Sequence, residues 1–484
     1  MSEISGGRHD LGQPADLAQL TGAADELPVP TNLAQAAVEV LRVAVPLMIS
    51  AGMMSIVLFA DRTLLMFYDG ASMSASMAGG NLFWVVVCVP IGAAAMTGAV
   101  IGQLIGNGES EKVGRLLWQS IWLSLMTVPF FVVAFLGADS LFRLTGQPEE
   151  LIAAEATYMR WLMLGGLGLV IESALSGFFS GTERTSVIMW VSVASGLLNV
   201  VLDVVLIFGW SGIFGWAGLP AMGIAGAAIG SVIAFWFKVV CYSWLLSRPG
   251  LESRYRMRGG FGLDMPMLRN FLYYSLPSGL MYLTEAGAFT IIILRIGQLG
   301  DVPLRATTMA INFNMVAFIP LVGIAIAASV LVGRHLLQNG PAFAVRTSLA
   351  SLLIALVYSG VWAIAYLVAG DWMLSLYGLG TPDEDSRQAI LLAGGLLGFV
   401  ASYVLVDAVQ LIFSAALKGA GDTWFVLAAG AATSTLSIAA GIAFDPGRSS
   451  LTWWWWVITI WIWALAITMT TRFLGGRWKS MRMV

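Results

Sequence analysis

The sequence predicts an all-α membrane protein: twelve transmembrane helices in two pseudo-symmetric six-helix lobes. Three observations carry that reading. First, 58% of the 484 residues are hydrophobic and only 11% are charged, where an ordinary soluble domain has about 25% charged residues. Second, the apolar residues fall into twelve stretches, each long enough to cross a hydrocarbon core about 30 Å thick, which takes roughly 20 helical residues. Third, the last six stretches echo the first six.

The stretches run roughly over 43–66, 79–104, 116–136, 157–180, 186–209 and 222–246, then 270–294, 306–333, 346–369, 389–416, 423–444 and 452–474. They are helices, because an open sheet edge in lipid leaves backbone groups without hydrogen bonds. Residues 1–36 are polar and lack the apolar core of a signal peptide, which predicts a disordered cytoplasmic tail. Residues 37–246 then form an amino-terminal lobe, 247–269 a basic cytoplasmic linker, 270–475 a carboxy-terminal lobe, and 476–484 a short cytoplasmic tail.

The echo is visible residue by residue. Pro46 in VAVPLMI matches Pro277 in YSLPSGL. MAGGNLFWVVVCVPIGAAAMTGAVIGQLIGNG resembles MAINFNMVAFIPLVGIAIAASVLVGRHLLQNG, so Pro90 answers Pro320 and Asn107-Gly108 answers Asn339-Gly340. Two such halves, equally oriented, are related by an axis along the membrane normal, and transporters rock halves of this kind about a cleft between them. Gly98, Gly102 and Gly106, four apart, have the spacing that lets helix backbones approach closely.

Charge sets the orientation. With an even number of spans the two chain ends share a side, and 17 of the 25 Lys and Arg residues fall there. Only Arg143, Arg160, Arg305, Arg387 and Arg448 lie in loops on the other side. The positive-inside rule then puts both termini in the cytoplasm.

The composition also excludes functions. A net charge of −3 offers no basic surface for nucleic acid. Two histidines, His9 and His335, and two cysteines, Cys88 and Cys241, build neither a zinc site nor a Ser-His-Asp arrangement. An intramembrane enzyme therefore lacks its parts. No G-x-x-x-x-G-K-[ST] match suggests a fused ATPase. Cys88 and Cys241 read as packing residues. The four tryptophans 453–456 read as an interfacial anchor.

A charge at the centre of a spanning helix costs about 2.5–3.5 kcal/mol on insertion scales, so it needs a partner or a watery cavity. The few candidates are Asp61 in the first helix, Glu172 in the fourth, Asn199 and Asp203 in the fifth, Glu285 in the seventh and Asp407 in the tenth. Asn199 and Asp203 share one helix face, as do Tyr403 and Asp407. Asp61 and Asp203 both lie late in outward-running helices and so reach one depth. Two adjacent carboxylates do not both ionise cheaply, so a proton or a cation must join them. Arg62 points about 100° away from Asp61. Lys238, in the sixth helix, has no evident partner in the sequence.

Here the chain resembles the multidrug and toxic-compound extrusion (MATE) transporters of the bacterial NorM-like type, over about 43–475. The first helix carries Pro46 and then Phe59-Ala60-Asp61, an F-x-D motif. The fifth has N-x-x-x-D in Asn199 and Asp203. The sixth has GIAGAAIGS, with Ser231 where the family has Thr. The seventh has LPSGLMYLTE, giving Pro277 and Glu285. The tenth has DAVQLIFSAALKGAGDT, giving Asp407, with Tyr403 one turn earlier. After Asp61 the family often has Thr, and this chain has Arg62.

The resemblance implies two lobes splayed about a cleft and an amino-lobe coupling-ion site at Asp61, Asn199, Asp203 and Ser231. It implies a substrate or second ion site at Glu285, Tyr403 and Asp407, and Glu172 is a further candidate there. The expected activity is antiport: export of cationic, amphipathic drug-like compounds in exchange for inward H⁺, which is favoured, or Na⁺. No cofactor is required, and no metal beyond Na⁺ at the amino-lobe site. The expected partners are small organic cations and membrane lipid, with the protein working as a monomer. A lipid-linked-sugar flippase of a related superfamily is the alternative, but such proteins favour a basic cleft, and the membrane charges here are mostly acidic.

Overall fold

The computed structural model describes residues 32–144, 149–210, 218–378, 384–445 and 450–484. Most of the expected tail, residues 1–31, lies outside them. Among the described residues, twelve helices are long and apolar enough to cross a membrane. They are α1 (Leu33–Tyr68), α2 (Ser72–Gly106), α3 (Ser110–Leu136), α4 (Leu151–Gly181), α5 (Thr185–Phe208) and α6 (Gly223–Leu246) in the amino half. In the carboxy half they are α7 (Met265–Gly297), α8 (Asp301–Gln338), α9 (Pro341–Ser375), α10 (Glu384–Ala420), α11 (Thr423–Ala443) and α12 (Leu451–Leu474).

Short polar side chains start several of them. Asn32 caps α1 by accepting from the Gln35 N–H, Asp264 caps α7 through Met267, and Ser450 caps α12 through Trp453, each satisfying a backbone donor that a helix start leaves free. Pro46, Pro90, Pro277 and Pro320 sit inside helices at matching places in the two halves. The helix α2 breaks its regular ladder at Met96, whose N–H reaches Ala93 O.

The packing repeats as the sequence does. In the amino half α1 packs on α5, α5 on α6, α6 on α4, and α4 on α2 and α3. In the carboxy half α7 packs on α11, α11 on α12, α12 on α10, and α10 on α8 and α9. Contacts between halves obey the same exchange: α1 meets α8 while α7 meets α2. At the termini end one core draws on both halves, including Val40, Ile101 and Phe178 with Ile324, Leu331 and Ile412. At the opposite end each half has its own core, around Phe131, Met159 and Ile207 in one and around Ile292, Val400 and Trp455 in the other. The lobes are thus joined at the termini end and part toward the far end.

Several expected boundaries shift. The first helix begins at Leu33 rather than near 43, because Ala36, Glu39, Val40 and Val43 recur at helical spacing and bury one face. The linker is not free. Its short helix Pro249–Tyr255 buries Leu251 and Tyr255, and the carbonyls of Met257 and Phe261 accept from the indoles of Trp118 and Trp122 on α3. The tail after 475 is held too: Trp478 is buried and stacks on Phe473 at 4.9 Å. The tryptophan anchor is only partly so. Trp456 is 48% exposed, but Trp454 and Trp455 are core residues, and the Trp455 indole donates to Thr307 Oγ1 at 3.2 Å. Helical geometry forces this, since four consecutive residues point all round the axis and cannot share one surface.

Candidate functional site: acidic groups in the two lobes

The amino-lobe residues meet. The α5 face that carries Ser192, Ser195, Asn199 and Asp203 turns into the lobe, and Gly196 admits Met53 and Val57 of α1 against it. Across from this face, α6 presents Ser231 and α1 presents Asp61. All four polar residues are buried: Asp61 is 4% exposed, Asn199 1%, Asp203 0% and Ser231 7%.

The hydroxyl of Ser231 donates to Asp61 Oδ2 at 3.4 Å. In the amide orientation that satisfies both of its ends, Asn199 Nδ2 donates to Asp61 Oδ1 at 3.1 Å and Asn199 Oδ1 accepts from the Ser231 N–H at 3.1 Å. The carboxyl of Asp203 lies within hydrogen-bonding reach of Asp61. Its Oδ1 has no hydrogen-bond partner among the described residues and faces Gly230, where a Cβ would come within 2.5 Å. Two acids in contact, out of water, require a shared proton or a cation between them. Arg62 adds its field without an ion pair to Asp61 among the described residues.

The carboxy-lobe set is looser. Asp407 of α10 lies within the field of Glu285 of α7, and Tyr403 within that of Asp407. Lys418 stands in the last turn of α10 with its ammonium 5.9 Å from the Tyr282 ring centroid. It lies close enough to Glu285 for the two charges to interact. Glu172 does not join this set. It sits in the amino lobe, where Lys238 Nζ approaches its Oε1 at 3.8 Å. That contact also supplies the partner the sequence left missing for Lys238.

A family model described as MatE matches this chain twice, over residues 46–205 and 277–442, once in each half. The chain belongs to the MatE family. Relatives include the multidrug resistance protein NorM of Burkholderia vietnamiensis, 27% identical over 398 residues, 81% of this chain and 84% of that protein. A probable multidrug resistance protein NorM of Pseudomonas syringae pv. tomato is 26% identical over 461 residues, 92% of this chain and 95% of that one. Among solved structures, the eukaryotic MATE transporter AtDTX14 superposes with a TM-score of 0.79 at 18% identity, over 92% of this chain and 97% of that one. A MOP-superfamily transporter from Pyrococcus furiosus gives 0.80 at 20% identity, over 93% and 96%. As a MatE-family protein the chain is a membrane transporter and not an enzyme.

Further polar groups of this MatE-family chain close the termini end between the lobes. Arg334 of α8 pairs with Glu183, which follows α4. The Nε2 of His335 meets the Glu39 carboxylate of α1 at 3.0 Å. Gln103 of α2 donates to Gly419 O at 2.9 Å and accepts from the Met483 N–H at 2.8 Å. Sequence reasoning missed these pairs. The one available signal was the presence of Glu39 and His335 on otherwise apolar helical faces. Tyr158 of α4 was missed as well: it is buried within the field of both Asp61 and Asp203.

Proposed function

We propose that this protein exports cationic, amphipathic drug-like molecules from the bacterial cytoplasm in exchange for inward H⁺, working as a monomer in the inner membrane. The observation that carries the reading is the contact of Asp61 with Asp203 inside the amino lobe. A pair that must take up a proton or a cation, in a lobe that repacks against its partner, is the physical requirement for coupling. The NorM relatives are multidrug resistance proteins, and acids in the carboxy lobe suit a cationic cargo. The charge asymmetry of the loops supports a cytoplasmic position for the termini end, and the lobes then part toward the outside. On this reading residues 37–246 and 270–475 are the moving lobes, and 247–269 is the strap between them.

The mechanism follows from these positions. With the lobes parted outside, a proton enters the Asp61–Asp203 pair, with Asn199 and Ser231 as its hydrogen-bonding neighbours. Neutralising the pair changes the packing of α1 on α5, and cargo leaves. Once the lobes part inside, the proton departs and the acidic cleft takes the next cation, with Glu285 and Asp407 attracting it beside Tyr403. The all-oxygen set also suits Na⁺, which makes sodium the second arm of the test. Proteoliposomes loaded with a fluorescent organic cation are given an imposed pH gradient or an imposed sodium gradient. Efflux on the pH gradient is expected. Efflux on sodium alone overturns the choice of ion, and efflux on neither overturns antiport.

The carboxy-lobe role has its own expected outcome. Asp407→Asn should weaken transport of cations more than of neutral compounds. At an effective dielectric of about 20, a charge about 8 Å away contributes about 2 kcal/mol, roughly 30-fold in affinity. Glu285→Gln should act in the same direction. Apparent affinities for a matched cationic and neutral pair check this. Equal losses for both would move these residues from cargo recognition to coupling or folding.

A further inference from the structure

The amino lobe holds two polar layers, not one. The outer layer is the acid pair with Asn199 and Ser231. The second lies nearer the termini end. Ser192 on α5 is seven residues before Asn199, and Lys238 on α6 is seven residues after Ser231. Because α5 and α6 run in opposite directions, both steps lead about 10 Å toward the termini end. Ser50 of α1, eleven residues before Asp61, joins this layer: its hydroxyl donates to Ser192 Oγ at 2.7 Å. Glu172 of α4 completes it through Lys238, and the two side chains are only 13% and 17% exposed.

Two more features mark the inner layer as more than packing. Tyr242, one turn beyond Lys238, is fully buried, and its hydroxyl lies within reach of Ser192 and in the field of Glu172. Between the layers Met53 lies against Gly196, and Ser195 is the one polar side chain on this stretch of the α5 face, its hydroxyl donating to Ala234 O at 3.0 Å. The titratable groups facing Glu172 are Lys238 and Tyr242 of α6, with Cys241 beside Tyr242.

We propose that Glu172, held by Lys238, is the relay through which the amino-lobe acid pair returns its proton to the termini side. The inference rests on the H⁺-antiport reading and gives that reading its missing exit. The acid pair is buried, and the inner layer stands between it and the termini end. The proton leaves an Asp carboxyl, crosses by way of the Ser195 level and water admitted when α1 moves off α5, and binds the Glu172 carboxylate. No other bond is made or broken. A neutral Glu172 loses its attraction to Lys238, so the proton is held briefly and passes on to water at the inner face. An unpaired ammonium then draws the carboxylate back.

The test uses the full chain in proteoliposomes, with pH-driven efflux measured beside substrate–substrate counterflow, which needs no net proton release. Glu172→Gln should slow pH-driven efflux roughly tenfold or more while counterflow stays within about twofold of the parent. The Glu172→Gln/Lys238→Met double variant, which removes both charges, should stay as slow. If the double variant regains the parental rate, the pair is an ion pair for packing and the relay is overturned. Parental efflux in Glu172→Gln, or equal loss of efflux and counterflow, overturns it too. Asp203→Asn run alongside separates the two readings: parental pH-driven efflux in that variant defeats the acid pair itself, whatever Glu172→Gln does.

Discussion

Asp203→Asn is expected to abolish ion-driven transport while cargo still binds. Asparagine keeps the shape of the side chain, and its amide can donate to Asp61, so the contact between α5 and α1 survives. What disappears is the second titrating carboxyl. With one acid left, accepting hydrogen bonds from Asn199 and Ser231, nothing forces a proton into the site and nothing releases one. Concentrative uptake of a cation into inverted vesicles should fall by about 100-fold or more, with binding of the same cation changed by no more than about threefold. Binding is measured by fluorescence titration of the purified protein, and transport under separate pH and sodium gradients. A variant that still concentrates cargo on either gradient at the parental rate moves coupling to Glu285 and Asp407.

Much of this arrangement is legible in the sequence, for a physical reason. Lipid forces every span to be a helix, and helix periodicity then says which residues on one span share a face. Asn199 and Asp203 could be placed together on that ground alone, and the two proline-marked halves fixed how the spans repeat. What stayed hidden lies between helices. Glu172 and Lys238 belong to separate spans with no motif in common, and periodicity does not say which faces of α4 and α6 turn toward each other. For the same reason Glu172 was grouped with Glu285 and Asp407 by chemistry, although it stands in the other lobe. Lys418 ends a span, and only the structure shows that its long side chain brings the ammonium to Tyr282. The early start of α1 was masked by Glu39 and Arg42, which lower the hydropathy of a stretch where Ala36, Val40 and Val43 are buried.

Gly102→Leu is expected to break the closure between the lobes at the termini end. At Gly102 a Cβ would lie 2.7 Å from Val330 O of α8, so even a methyl group displaces backbone there. Gly98 and Gly106 flank it on the same face of α2, against Gly177 and Val330 and against Arg334. One turn along α8, Gly333 lies under Gly419 O of α10, the same carbonyl that Gln103 holds, and close to Ala99 O of α2. Three backbones therefore meet in one seam, and none of them has a flexible side chain to give way. Overpacking of a fitted core costs about 1–3 kcal/mol, and because about 1.4 kcal/mol is tenfold in an equilibrium, the closed seam should lose roughly 10- to 100-fold in population. The site to watch is Ala99, 3% exposed beside that seam. In a background with Cys88→Ala and Cys241→Ala, an Ala99→Cys reporter should resist an impermeant thiol reagent applied from the termini side. Adding Gly102→Leu should make it react, and Gly102→Ala should fall between. Equal labelling with and without Gly102→Leu would show that the glycine seam does not hold the lobes closed. The polar pairs Arg334–Glu183 and His335–Glu39 would then be the contacts that do.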